Sequence, residues 1–67
     1  MMTNEQLARV YMDLWFALRR TPCIVTVKGG GWFTVQHDPT IRTVRGRSVR
    51  ASDLANGIAI LAGRLAK

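Results

Sequence analysis

The chain has 67 residues, and a chain of this length buries only about 60% of the surface that its unfolded form exposes. Ten Lys and Arg residues against four Asp and Glu residues give a formal net charge of +6, while 48% of the residues are hydrophobic. These values predict one small basic domain over residues 1–67 that folds and has no room for a deep substrate cleft.

Cysteine and histidine content excludes two further classes of protein. Cys23 and His37 are the single residues of their types, so the sequence predicts neither an internal disulfide nor a four-ligand zinc site. The longest apolar stretches, residues 14–18 and 57–63, are shorter than the roughly 20 residues that cross a bilayer. We therefore expect a cytoplasmic protein without a metal or another cofactor.

The first predicted element is a helix over residues 4–20. Thr3 and Gln6 have the spacing of a capping box, and Pro22 ends the apolar periodicity that follows. The apolar arc of this helix is wider than one packed face requires. It contains Ala17, Val10, Leu14, Leu7, Leu18 and Tyr11, and it continues through Trp15, Ala8, Met12 and Phe16.

Residues 23–28 and 32–37 are rich in β-branched and aromatic side chains and flank three glycines, which predicts a β-hairpin. Alternation along the strands separates two faces of this hairpin. The predicted core face carries Val25, Val27, Phe33 and Val35, and the opposite face carries Thr26, Lys28, Trp32, Thr34 and Gln36.

A third strand is predicted over residues 40–45, after the turn signal Asp38-Pro39. Gly46-Arg47 suits a two-residue turn, after which residues 48–50 return as a short fourth strand with Val49 opposite Val44. A single bent strand across this region is the alternative.

The last predicted element is a helix over residues 53–66, with Ser52 as its N-cap and Asp53 in its first turn. Its core stripe contains Leu54, Ile58, Leu61 and Leu65, and Ile60 lies on the outward side. The resulting fold class is α+β, of order α-β-β-β(-β)-α. Both helices are expected to cover one face of a small antiparallel sheet of three or four strands.

Charge is concentrated in the middle of the chain, where Arg42, Arg45, Arg47 and Arg50 occur without a lysine between them. Each planar guanidinium can bind two phosphate oxygens, and a β-ribbon can enter a nucleic-acid groove. An exposed Trp32 near Lys28 could add stacking on a base. The alternative is a solvated hairpin in a protein that favours arginine, and strand alternation does not require all four arginines to converge.

Met12, Trp15 and Phe16 form the surplus apolar surface of the first helix, which predicts a second contact there. A homodimer is a common solution for a chain this small. A surface for a different protein, or a helix held between the sheet and the second helix, would have the same signature.

His37-Asp38 lacks a nucleophile placed to use it, so the sequence predicts no catalytic site and a non-enzymatic protein. The favoured interpretation is a homodimeric module that binds DNA, RNA or another polyanion. Its predicted binding residues are Lys28, Trp32, Arg42, Arg45, Arg47 and Arg50. The alternative is a protein-interaction or inhibitor protein of phage or mobile-element type, such as an inhibitor of a host defence complex, directed at an acidic protein surface.

Overall fold

The computed structural model describes residues 2–37 and 46–66. It contains helix α1 (Asn4–Arg19), strand β1 (Cys23–Val27), a short 3-10 turn (Gly29–Gly31), strand β2 (Trp32–His37), strand β3 (Arg47–Arg50) and helix α2 (Ala51–Leu65). The strands form an antiparallel sheet of order β1-β2-β3. This α-β-β-β-α order confirms the predicted α+β fold.

Helix α1 begins as its sequence predicts. The Thr3 N–H donates to Gln6 Oε1 at 2.8 Å, and the Gln6 N–H donates to Thr3 Oγ1 at 3.2 Å, which completes the capping box. The helix ends at Arg19, one residue before the predicted boundary, because Arg20 adopts a left-handed conformation with φ 60°. The Arg20 N–H still donates to Phe16 O at 2.8 Å, which satisfies one carbonyl of the last turn.

The face that α1 buries differs from the predicted arc. Ala17 was expected within that arc but is exposed, whereas Ala8 is buried in the core. The small Ala8 side chain lets the helix backbone approach the sheet closely. Longer side chains that pack beside it are Leu7, Tyr11, Met12 and Trp15.

The hairpin and its two faces are confirmed. The core cluster combines one residue from each helix with four from the first two strands: Ala8, Cys23, Val25, Phe33, Val35 and Leu54. Phe33 lies on the central strand and has no exposed surface. Thr26 and Trp32, predicted for the opposite face, are both exposed.

The region before β3 lies largely outside the described residues, and with it the predicted strand over residues 40–45, the Asp38-Pro39 turn and the pairing of Val49 with Val44. Strand β3 pairs with β2, so that Val49 lies opposite Phe33. Arg47 belongs to this strand and pairs with Val35, so its prediction as part of a two-residue turn is wrong. Gly46 lies close against β2, because a Cβ at this position would be 2.6 Å from Thr34 Cγ2. A side chain at position 46 therefore requires Thr34 to move.

Helix α2 begins at Ala51, so the prediction of Ser52 as its N-cap is wrong. Arg50 is both the last residue of β3 and the N-cap, with an extended backbone and no side-chain cap hydrogen bond. The strand therefore runs directly into the helix, and Ser52 falls within the first turn. The reason lies in the sheet, since pairing of Arg50 with Trp32 keeps the strand extended up to that residue.

The inward face of α2 agrees with the predicted stripe near the start of the helix but not at its end. Leu54 and Leu61 are buried, whereas Leu65, predicted for the same stripe, is exposed. Ile60 is exposed, as predicted. Gly57 brings the two helices together, because a Cβ there would lie 3.0 Å from the ring of Tyr11. Neither described helix is long and apolar enough to cross a membrane.

Candidate nucleic-acid interface

Among the described residues, one face of the sheet carries no helix, because α1 and α2 both pack against the face that carries Val25, Phe33 and Val35. Strand register arranges the side chains of the other face in rows across the strands. Those rows are Ile24 beside Gln36, then Thr26, Thr34 and Ser48, and finally Lys28, Trp32 and Arg50. We call this surface the open face.

The third row holds the charged residues of the open face. Lys28 follows β1, and its N–H donates to Trp32 O at 2.8 Å, which extends the ladder by one residue. Trp32 lies directly opposite Arg50 on the next strand. An aromatic side chain therefore lies between a lysine and an arginine on the open face.

Trp32 and Arg50 interact as a cation–π pair. The guanidinium carbon of Arg50 lies 4.7 Å from the centroid of the Trp32 ring. At an exposed site such a contact contributes about 0.5–1 kcal/mol. Trp32 still keeps 39% of its surface exposed, so the pair is ordered without being buried. It offers a stacking surface next to N–H donors that suit phosphate oxygens.

The glycines before Trp32 form the hairpin turn. Gly30 and Gly31 have φ values of 71° and 78°, a conformation that side-chain-bearing residues rarely adopt. This requirement explains the glycines without a ligand. The turn fixes where β2 starts, and it thereby places Trp32 at the end of the open face.

The structure brings together Lys28, Trp32 and Arg50 but separates Arg47 from them. Arg47 lies opposite Val35 in the ladder, and alternation therefore directs it towards the helix side of the sheet. Arg42 and Arg45 lie outside the described residues. The predicted arginine cluster is thus divided between two faces at β3.

Arg47 instead lines a cavity of about 420 Å³ between the sheet and the helices. Tyr11 Oη and His37 Nε2 lie 3.0 Å apart in this cavity, and the rings of His37 and Trp15 are 4.1 Å apart between centroids. Burial, and then the nearby Arg47 charge, lower the pKa of His37. The imidazole is therefore neutral at pH 7. His37 thus adds no second positive charge to the cavity wall beside Arg47.

Tyr11 is also held in its neutral form. Burial, and then its proximity to Cys23, raise the pKa of the Tyr11 phenol. Sequence reasoning missed this Tyr11–His37 pair, because the two residues are 26 positions apart and only the packing of α1 on the sheet joins them. Strand alternation, which places His37 on the same face as Phe33 and Val35, was an available signal.

Within residues 2–37 and 46–66, no three His, Cys, Asp or Glu side chains are grouped so that they could hold a metal ion. No family model, curated protein or solved structure matches the chain.

Part of the surplus apolar surface predicted on α1 packs within the chain itself. Met12 and Trp15 pack partly against the protein's own core, and the Trp15 indole N–H donates to Thr21 Oγ1 at 3.3 Å. The Arg19 guanidinium lies over the Trp15 ring at 5.4 Å. Phe16 is 50% exposed and is the member of the predicted trio that leaves most of its surface for a partner.

Proposed function

We propose that this protein is a non-enzymatic module that binds single-stranded nucleic acid on the open face of its sheet. The observation that carries the proposal is the exposed Trp32–Arg50 pair, with Lys28 beside it, on a face that neither helix covers. Unpaired bases can stack on an aromatic side chain, whereas the bases of a duplex are already stacked on one another. An exposed aromatic side chain on a sheet face therefore favours single strands over duplexes.

Each residue of the third row has a distinct role in this proposal. Trp32 stacks on a base, and its π surface accepts any of the bases. Arg50 and Lys28 bind the phosphates on either side of that base, Arg50 through a planar fork and Lys28 as a mobile point charge. Arg42 and Arg45 remain predicted phosphate contacts.

The second row supports the same proposal. Thr26, Thr34 and Ser48 carry hydroxyl groups that both donate and accept hydrogen bonds. They lie next to the stacking position, where they can contact a base edge or a sugar. A net charge of +6 attracts the polyanion from a distance and makes association depend on salt.

The salt dependence of binding tests the electrostatic half of the proposal. Each phosphate contact on a single strand contributes about −0.7 to the slope of log K against log salt. The double variant K28Q/R50Q is therefore expected to reduce the steepness of that slope by about 1.4. Fluorescence titration with an oligothymidylate at several salt concentrations measures this slope.

The matched control is R9Q/R64Q, which removes the same two charges from the exposed surfaces of α1 and α2. Its salt slope is expected to stay at the wild-type value. An equal reduction of the salt slope in both double variants would show that binding depends only on the total charge of the protein. That result would contradict a site on the open face. Undetectable binding of the wild-type protein at low salt would overturn the proposed function.

A second candidate function is binding to an acidic protein surface, as in the inhibitor class predicted from the sequence. The supporting observation is that exposed Trp and Arg side chains lie together at Trp32 and Arg50, since these residue types dominate binding energies at protein interfaces. The same low-salt titration separates the two candidates. Absence of oligonucleotide binding at low salt would favour this second function.

A further inference from the structure

The two outer strands of the described sheet differ in how they are protected against pairing with a strand of another chain. β3 has four residues and an arginine at each end, whereas β1 has five residues, Cys23–Val27, none of them charged and none a proline. Its register with β2 is continuous, so no bulge interrupts it. Natural proteins guard sheet edges with charges, prolines or bulges, and an unguarded edge pairs readily with another strand.

The backbone groups that β1 presents at its edge follow from the hairpin. The bond from the Lys28 N–H to Trp32 O fixes this pair as hydrogen-bonded. Alternation then assigns the bonded positions of β1 to Thr26 and Ile24. The N–H and C=O groups of Cys23, Val25 and Val27 consequently point away from β2. They take part in none of the described backbone hydrogen bonds outside the helices and strand ladders.

We propose that β1 pairs antiparallel with β1 of a second copy of this chain, about a two-fold axis at Val25. Val25 then faces its own copy, and Cys23 faces Val27 of the partner subunit. Each of these pairs exchanges two hydrogen bonds, so the contact contains six in all.

A second copy fits this edge because the outward-facing groups are arranged symmetrically about Val25. An isologous contact requires that self-complementarity. Lys28, the first residue after β1, lies opposite Pro22 of the partner subunit. Like charges therefore do not face each other across the contact. On the open face, the exposed side chain of Ile24, with 47% of its surface accessible, lies beside Thr26 of the partner subunit.

The paired edges join two sheets into one of six strands and place both open faces on the same side. Two Trp32–Arg50 pairs then share one surface. This contact differs from the sequence prediction, which placed the dimer interface on α1 at Met12, Trp15 and Phe16. It does not depend on the proposed function, because the strands pair without nucleic acid.

Charge substitutions at Ile24 and Thr26 test the contact and its register together. Both side chains are exposed, so their replacement leaves the core intact. The variant I24K/T26K places like charges directly opposite each other across the axis, which destabilises a strand pair. The variant I24K/T26E places opposite charges there and keeps the wild-type net charge. The control N56K/A62K adds two lysines to the exposed surface of α2.

Sedimentation velocity without nucleic acid, from micromolar to millimolar protein, gives the mass of each variant, and circular dichroism verifies that each is folded. The wild type, I24K/T26E and N56K/A62K are expected to approach twice the chain mass of 7.5 kDa as concentration rises. I24K/T26K is expected to remain a monomer. A monomeric wild type, a dimer that survives I24K/T26K, or a failure of I24K/T26E to restore pairing would each overturn the proposal.

Discussion

Replacing Phe33 with alanine is expected to unfold most of the protein at room temperature. Phe33 is completely buried on the central strand, and truncation of a buried Phe to Ala costs about 3–5 kcal/mol. A single core in a chain of fewer than 70 residues supplies only about 3–5 kcal/mol in total. The substitution therefore removes about as much free energy of folding as the protein has.

Thermal melts followed by far-ultraviolet circular dichroism measure this effect, and Phe16→Ala is its matched control. Phe16 is the other phenylalanine of the chain and is half exposed, so the same truncation there leaves no closed cavity. Phe16→Ala is expected to retain a cooperative transition, whereas Phe33→Ala loses it. Similar melts for the two variants would contradict the position of Phe33 at the centre of the core.

Replacing Trp32 with alanine is expected to weaken single-stranded nucleic-acid binding by about 5- to 150-fold. Stacking of one base on one aromatic side chain contributes about 1–3 kcal/mol, as measured by alanine substitution. Among the described residues, Trp32 is also the aromatic side chain of the open face. Fluorescence anisotropy of a labelled oligothymidylate at low salt measures the change, because the label makes the signal independent of the lost indole.

Trp32→Phe is the matched control for stacking. A phenyl ring keeps a π surface at the same position, so this variant is expected to retain most of the affinity that Trp32→Ala loses. Both variants should fold, since Trp32 lies outside the buried cluster. Equal affinities for Trp32→Ala and the wild type would show that no base stacks at this position.

The elements that depend on neighbouring residues could be predicted from the sequence. The capping box needs only Thr3 and Gln6, and the hairpin needs only its glycine turn and the alternation on either side. These features place Val25 and Phe33 on one face and Trp32 on the other without knowledge of the rest of the fold. The start of α1 and the hairpin faces are accordingly confirmed.

Features that depend on long-range packing were not predicted correctly from periodicity. Ala17 and Ala8 both fit the apolar pattern of α1, but contact with the sheet selects Ala8. Ser52 is a good N-cap residue, but pairing of Arg50 with Trp32 keeps the strand extended and moves the helix start to Ala51. In both cases tertiary contacts decide between local alternatives.

The candidate site was partly predictable for the same reason. Alternation within the hairpin puts Lys28 and Trp32 on one face, and this placement is local. Which arginine joins them depends on the register between β2 and β3, which brings Arg50 to Trp32 and turns Arg47 towards His37. A sequence pattern of arginines cannot determine that register.

The two indole N–H signals of the protein test the central claim most directly. Trp32 lies on the open face, whereas the Trp15 N–H donates to Thr21 on the helix side. In heteronuclear NMR spectra recorded during titration with an oligothymidylate, we expect the Trp32 signal and the amides of β2 and β3 to shift and saturate. The Trp15 signal and the amides of α1 and α2 should stay nearly fixed. Shifts centred on Trp15 and the helices, or no saturable shift at low salt, would contradict nucleic-acid binding on the open face.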